Sequence, residues 1–434
     1  MRMQLWRQRL TVLASLLTLL FLPALHAEEL TFRRAVELAL RNSTTTAIAD
    51  ADQRRAKQGY LETRGMFLPQ MSVGSGLGYS YGFPLSLENS APSILNVNTQ
   101  QFIINAAQRE FMRAAKSELA AMNKLGEDRR ASVILETAMT YAELDRLQVS
   151  LKALRQQEAA AQKVETVSRE RLQAGVDAEV EVSRARLGVA KVHMATEQAA
   201  GQADVLRLRL SQLTGLPADS IVTVSESVPR MPPIGERQAM LSKAMESNPS
   251  IQVAAEQAQA REFRAKGERK MMLPAVDFAS QYALLARYNN YDKFFASFQR
   301  HNVSVGVVIR FPFLNFSQRA RADAADAETM KARKEAEGVK QQVATESLKL
   351  QQAVRQLAAA KEVARLEYQI ASADVQVVLA RVEAGSATVR DQENARLLEQ
   401  QRYAALIDAE LELDKAQMQL LRSTGELEKW ALGQ

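Results

Sequence analysis

Residues Met71–Gly82 read MSVGSGLGYSYG. The odd positions are Met71, Val73, Ser75, Leu77, Tyr79 and Tyr81, and the even positions hold only Ser and Gly. Alternation with a period of two is the pattern of a β-strand with two unlike faces. One face is mostly apolar or aromatic, and the other has almost no side chain. A strand of this kind is unexpected here, because most of the remaining chain reads as helix.

Three further segments share the pattern. In HNVSVGVVIRFPF, Val303, Val305, Val307, Ile309, Phe311 and Phe313 fall on one face. In AVDFASQYALLA, Val276, Phe278, Tyr282 and Leu284 do so. In ILNVNTQQFI, the weakest of the set, Leu95, Val97 and Ile103 stand against polar neighbours. Each has the length of a tilted strand that crosses a bilayer, about 9–11 residues. Aromatic residues gather between Tyr288 and Phe298, where a membrane–water girdle is expected. A sheet in lipid cannot keep an open edge, and four strands are too few to close a barrel. If these strands cross a membrane, several chains must contribute to one barrel, with cyclic symmetry placing their helices in a ring beneath it. The Gly/Ser face then points inward and the apolar face meets lipid.

The chain is written twice. NAAQREFMRAAKSE from Asn105 and NFSQRARADAADAE from Asn315 match at an offset of 210, including Gln108/Gln318, Arg109/Arg319 and Glu118/Glu328. The same offset relates RLQAG (Arg171–Gly175) to RVEAG (Arg381–Gly385), and Thr214-Gly215 to Thr424-Gly425. Leu68-Pro69 and Leu273-Pro274 match at 205, so the second copy is longer in its strand region. Internal repetition of this kind outranks local propensity in deciding a fold. The expected organisation is a leader over 1–27, a first repeat over 28–215, a linker over 216–238 and a second repeat over 239–434. Each repeat has short helices, two strands and two long helices broken at an Ala-Gly pair. Phe32, Val36, Ala39 and Leu40 share one face of the first helix. Between Asn105 and Gln173, and between Asn315 and Glu383, there is no proline and one glycine each, Gly126 and Gly338. Such runs reach about 100 Å as helix. Leu144, Leu147, Leu151 and Leu154 have the spacing of a coiled-coil seam.

Composition narrows the function. Arg2, Arg7 and Arg9 precede the apolar run LTVLASLLTLLFLPAL, and a small residue, Ala27, closes the segment, as in a secretory signal peptide. Removing three arginines and no acids lowers the net charge from +6 to +3, which leaves no basis for nucleic-acid binding. There is no cysteine, so disulfides, thiolate metal sites and a thioether-linked lipid are all absent. His193 and His301 fall on different elements and read as surface or packing residues rather than ligands. The fifteen methionines are dispersed, as core filler is. No phosphate-binding glycine loop or nucleophile motif occurs, so no catalytic residue, metal site or cofactor is expected.

The doubled order of elements, the Leu-Pro leading into strands, FPFLNFSQRARADAA leaving one, and the paired R-x-x-A-G breaks resemble the outer membrane efflux protein (TolC-like) family. The resemblance covers the chain from Leu30 onward. It implies a mostly α protein with a membrane β-barrel portion: a homotrimer with a twelve-stranded barrel and a periplasmic α-helical tunnel. It also implies an exit duct in the outer membrane, serving efflux or type I secretion. The implied partners are a periplasmic adaptor (membrane fusion) protein and an inner-membrane transporter of the RND, ABC or MFS type.

Gly175 and Gly385 are suited to end helices in a left-handed turn. The tips around them, with Val176, Asp177, Ser386 and Ala387, are expected to form the closed mouth and to meet the adaptor. The resemblance points to an acidic residue soon after each glycine as part of a periplasmic gate, here Glu181 and Asp391. Where some members carry a second acid, this chain has Asn394, and Arg390 adjoins Asp391. The rival reading is a periplasmic coiled-coil scaffold without a pore, which leaves the lipid-length strands unexplained.

Overall fold

The structure is a computed structural model that describes residues 29–76, 93–233, 235–285, 299–387 and 389–433. The expected leader, the aromatic cluster from Tyr288 to Phe298, and positions 77–82 of the opening strand lie outside the described residues. In order, the elements are β1 (Glu29–Leu30), α1 (Phe32–Asn42), α2 (Thr44–Gly65), β2 (Gln70–Gly74), β3 (Ser93–Ile104), α3 (Ala106–Gln173) and α4 (Glu179–Thr214). They continue with β4 (Val222–Thr223), α5 (Arg237–Ser247), α6 (Pro249–Lys270), β5 (Ala275–Leu285), β6 (His301–Arg310), α7 (Phe316–Glu383), α8 (Val389–Ser423) and α9 (Leu427–Leu432).

Corresponding elements of the two halves begin at near-constant offsets. α1 and α5 begin 205 positions apart, as do α2 and α6, while α3 and α7 begin 210 apart and are both 68 residues long. Even the caps correspond. Asn105 Oδ1 accepts from the Gln108 amide at 2.9 Å, and Asn315 Oδ1 from the Gln318 amide at 3.1 Å. These side-chain caps satisfy one of the amide groups that the first turn of a helix leaves unpaired. The capped glutamines then reach back to the preceding helix, Gln108 to Thr63 O and Gln318 to Glu268 O.

The four strands form one antiparallel sheet in the order β2-β3-β5-β6. Its register brings most of the apolar positions of the four strands onto one face, with Phe102 and Val308, on either side of Asp277, on the other. Val73 is opposite Val97, Val97 opposite Tyr282, and Tyr282 opposite Val303. Phe278 is opposite Val307, and Val276 opposite Ile309. The other face carries Ser72 and Gly74, then Asn96, Asn98 and Gln100, then Asp277 and Gln281, then Asn302, Ser304 and Gly306. A one-residue slip would mix the two faces, so the register is fixed by their difference.

Two expectations change in detail. The first strand ends at Gly74, and Ser75 and Gly76 are not in the sheet. A run of Gly and Ser has little side chain to pack and loses more entropy on ordering. The apolar residue at the base of β3 is Ile104 rather than Ile103, because a bulge lies between Phe102 and Ile104 and shifts the alternation. The sheet of a single chain is also not a closed barrel: β2 and β6 are both edges.

Below the sheet α2, α3, α6 and α7 lie side by side. Further down, α3 pairs with α4 and α7 pairs with α8 as two antiparallel hairpins. Ion pairs join the hairpins across α3 and α8: Arg146 to Glu410 at 3.5 Å, Lys415 to Glu143 at 3.3 Å, and Arg422 to Asp128 at 3.2 Å. The main core sits at mid-height, where Phe32, Val36, Ile134, Tyr141, Leu144 and Leu210 are buried together. Leu144 and Leu151 of the leucine seam are buried in it, with Leu147 and Leu154 packed alongside.

Residues 216–228 dock on this core. β4 pairs in parallel with β1, and the hydroxyl groups of Thr223 and Ser225 donate to Asp145 Oδ1 at 3.1 and 2.9 Å. Tyr141 Oη donates to Leu30 O at 2.6 Å and accepts from the Val224 amide at 2.9 Å. Phe32 stacks edge-on against both Tyr141 and Trp430.

Candidate functional site

Each hairpin ends in a tight turn far from the sheet. In the first, Gly175 has φ +72°. Its amide donates to Leu172 O at 3.0 Å, and the Val176 amide donates to Arg171 O at 2.9 Å. In the second, Gly385 has φ +71°, with matching bonds to Val382 O and Arg381 O. This paired closure is the Schellman motif, which satisfies the last carbonyls of a helix. A Cβ added at either glycine would meet nothing within 4 Å. What glycine supplies is therefore the left-handed backbone, not space.

The two tips differ chemically. Arg171 forks onto Asp177, with Nε to Oδ2 at 2.8 Å and Nη2 to Oδ1 at 3.2 Å. Hydrogen bonding to that guanidinium holds the Asp177 carboxyl below its ordinary range. In the second tip the corresponding residues are Arg381 and Ala387, so the acid is missing. In both tips the two amides after the glycine donate to the arginine carbonyl, and in the second Ser386 Oγ joins them on Arg381 O at 3.1 Å.

The expected gate residues lie just beyond the turns. Glu181 is in the first turn of α4 and Asp391 in the first turn of α8. A carboxylate there is favoured by the positive end of the helix dipole. Glu181 Oε1 accepts from Arg184 Nη1 at 2.6 Å. Three positions after Asp391 stands the neutral Asn394, and both residues are exposed. The structure thus puts Glu181 and Asp391 at corresponding points of separate hairpins and makes no direct pair of them. Val176 is exposed at the tip. The histidines occupy separate elements, His193 against Glu158 at 2.8 Å and His301 against Tyr282 at 2.9 Å. Among the described residues no group of His, Cys, Asp and Glu could hold a metal ion.

The Arg171–Asp177 fork was not legible in the residue pattern. A separation of six is not a helical pairing distance, and only the turn brings the two side chains together.

The second part of the site is the sheet. On its apolar face Val303, Val305 and Ile309 are 68%, 64% and 70% exposed in the single chain. A contiguous apolar surface of that size needs either lipid or protein to cover it. Among the described residues no helix is long and apolar enough to cross a membrane.

A two-faced antiparallel sheet set on helices about 100 Å long is the architecture of an outer-membrane channel protomer. The comparisons agree. The outer membrane efflux protein family matches residues 35–216 and 240–426. The chain belongs to that family, and its place is the outer membrane.

Solved structures with the same fold include the outer membrane protein VceC from Vibrio cholerae, at 19% identity and TM-score 0.72 over 90% of this chain and 96% of that one. The outer-membrane channel OprN aligns at 19% identity and TM-score 0.74, covering 93% and 92% of the two chains. The open state of the MtrE outer membrane channel from Neisseria gonorrhoeae aligns at 16% identity and TM-score 0.67, covering 94% of each. No curated protein sequence matches significantly.

Proposed function

We propose that this chain is the exit duct of a tripartite efflux or type I secretion system, a passive conduit with no catalytic step. In this reading three copies close a barrel: four strands each make twelve, and every strand, including β6 against the next copy's β2, is antiparallel to its neighbours. The polar face lines the pore and the apolar face meets lipid. The helices continue the pore as a periplasmic tunnel, with residues 28–215 and 239–434 as its two repeats and 216–238 between them. Residues 1–27 direct export and are removed. A periplasmic adaptor engages the tips at Gly175, Val176, Asp177, Gly385, Ser386 and Ala387, and an inner-membrane transporter drives the cargo.

The observation that carries the reading is the sheet register. Four separate sequence segments place Val73, Val97, Phe278, Tyr282, Val303 and Val307 on one side and mainly Asn, Gln, Ser and Gly on the other, where Phe102 and Val308 flank Asp277. A soluble scaffold has no use for a sheet with an exposed apolar face and two open edges.

At the closed mouth, Asp391 forms a ring of three carboxylates, with Glu181 held by Arg184 and Asn394 contributing no charge. A narrow acidic ring favours cations over anions. The test is conductance of the purified protein in planar bilayers under a salt gradient. Discrete channels with a cation-biased reversal potential are expected, and Asp391→Ala is expected to move that potential toward zero. Channels whose reversal potential ignores the substitution would refute the gate assignment; no channels at all would refute the conduit.

A further inference from the structure

Below the Arg146–Glu410 and Lys415–Glu143 ion pairs, a cleft of about 710 Å³ lies between α3 and α8. Clefts of about 300–1,000 Å³ suit a small organic molecule. Leu147 and Leu154 form one apolar wall, and Ile407 and Leu411 the other. Tyr368 of α7 and Tyr403 of α8 also line it, with ring centroids 5.3 Å apart and planes at 52°. Tyr403 is exposed and Tyr368 half-buried, so the rings are open to a ligand.

The charge of the cleft is not balanced. Four ionised side chains line it: Glu143, Arg146, Glu399 and Asp408. Arg146 is taken by Glu410 at 3.5 Å and Glu143 by Lys415 at 3.3 Å. Arg402, the cation nearest in sequence to Tyr403, is taken by Glu367 at 2.9 Å. Glu399 and Asp408 have no ion-pair partner among the described residues. Along α8 they stand about 6 Å and 7.5 Å from Tyr403, one on each side of it. A positive charge at that ring is therefore within reach of both carboxylates, since screening in physiological salt acts over about 8 Å. The face of an aromatic ring attracts a cation as well.

The hairpin fold itself does not require these residues. In the first hairpin the positions 210 earlier hold Glu158, Val189, His193 and Gln198 in place of Tyr368, Glu399, Tyr403 and Asp408. There Glu158 and His193 bond each other at 2.8 Å. The second hairpin has instead two rings and two unpaired acids, and all four side chains line one cleft.

We propose that this cleft binds a lipophilic organic cation, such as an aromatic phosphonium or ammonium ion. Its charge lies at the Tyr403 ring between Glu399 and Asp408, and its apolar groups lie on the leucine walls. The site is built within one chain, so it stands or falls separately from the duct proposed above.

Equilibrium dialysis of the purified full-length protein in a non-ionic detergent tests the proposal. Tetraphenylphosphonium is the probe, and tetraphenylborate, an anion of the same shape, is the comparison. Saturable phosphonium binding is expected, with the borate weaker by about tenfold or more because both carboxylates repel it. Tyr403→Ala should weaken the phosphonium about two- to fivefold. Glu399→Gln together with Asp408→Asn should weaken it about tenfold and bring the two ions to similar affinity. Asp374→Asn, which removes an exposed acid outside the cleft, should change nothing.

The chain has no cysteine, so Ala404→Cys supplies a single thiol on the cleft wall. Its reaction with a bulky maleimide after purification should abolish binding while helix content and melting stay unchanged. Equal binding of the two ions by the unaltered protein, phosphonium binding that survives the maleimide, or no saturable binding would each overturn the site. Bilayer conductance is recorded on the same preparations. Channels without phosphonium binding overturn the site and leave the duct standing, whereas binding without channels does the reverse.

Discussion

Arg171 and Asp177 clasp each other across the first helix tip through two hydrogen bonds, and the corresponding pair in the second tip, Arg381 and Ala387, cannot do so. The two hairpins thus share the same backbone turn but differ in what stiffens it. Replacing Asp177 with Ala should make the first tip resemble the second. The pair is solvent-exposed, so its effect is local and modest. Limited proteolysis of the folded protein should show cleavage near residues 174–178 rising roughly twofold, without a change in overall stability. An unchanged cleavage rate would mean that the Schellman turn alone holds the tip.

Gly175 and Gly385 should resist substitution for a reason that does not involve packing. Valine at either position forces a β-branched residue into the left-handed region, at about 1–2 kcal/mol per site. Asparagine tolerates that region and should be nearly neutral. With the partner pump present, the valine variants are expected to lose export while still giving intact assemblies on non-denaturing gels. Full export by Gly385→Val would count against a gating role for the tip.

The hydroxyl of Tyr141 holds the first strand and residues 222–227 to the mid-height core. Tyr141→Phe leaves Leu30 O and the Val224 amide without this partner, in a site where Tyr141 is fully buried. An orphaned buried polar group costs about 1–3 kcal/mol. Thermal unfolding should start earlier, with proteolysis beginning between residues 216 and 233 before the long helices are cut. Loss of helix and of this segment at one temperature would show that the two are not separable.

The architecture was largely legible from residue patterns, and the departures have physical causes. Alternation located β5 and β6 because Val303, Val305, Val307 and Ile309 need one covered face. The absence of proline located the two 68-residue helices, and the Ala-Gly pairs located their ends. The bulge at Ile103 was not legible, since one inserted residue leaves composition unchanged and only the pairing reveals it. Residues 216–228 read as a linker from their prolines. Yet proline limits only the backbone at its own position, and Thr223 and Ser225 between the prolines are free to bond Asp145. Of the candidate site, the glycine turns and first-turn acids could be placed from sequence. The charge balance around them could not, because it depends on which side chains the turn brings together.

Acid should loosen the junction between sheet and helices. Glu110, almost fully buried, accepts from Lys270 Nζ at 2.6 Å and from Arg113 Nη1 at 2.9 Å. Burial pushes its carboxyl up, but Lys270 and Arg113 together bring it below the usual carboxylate range. A carboxyl with a depressed folded pKa adds stability above its unfolded pKa, and that stability is lost as pH falls through the folded value. Lys270→Met removes one of the two cations and should raise the Glu110 pKa. Acid-induced dissociation of the variant is then expected at a higher pH than in the unaltered protein. An unshifted midpoint would show that Arg113 alone sustains the carboxylate.

In the proposed duct, a four-stranded sheet with two open edges is completed by sister chains within the membrane. Native mass spectrometry of the full-length protein, extracted from outer membranes in mild detergent, counts the chains in one particle. Particles of three chains that require detergent to stay dispersed are the expected result. A single chain that remains monodisperse in plain buffer would contradict it.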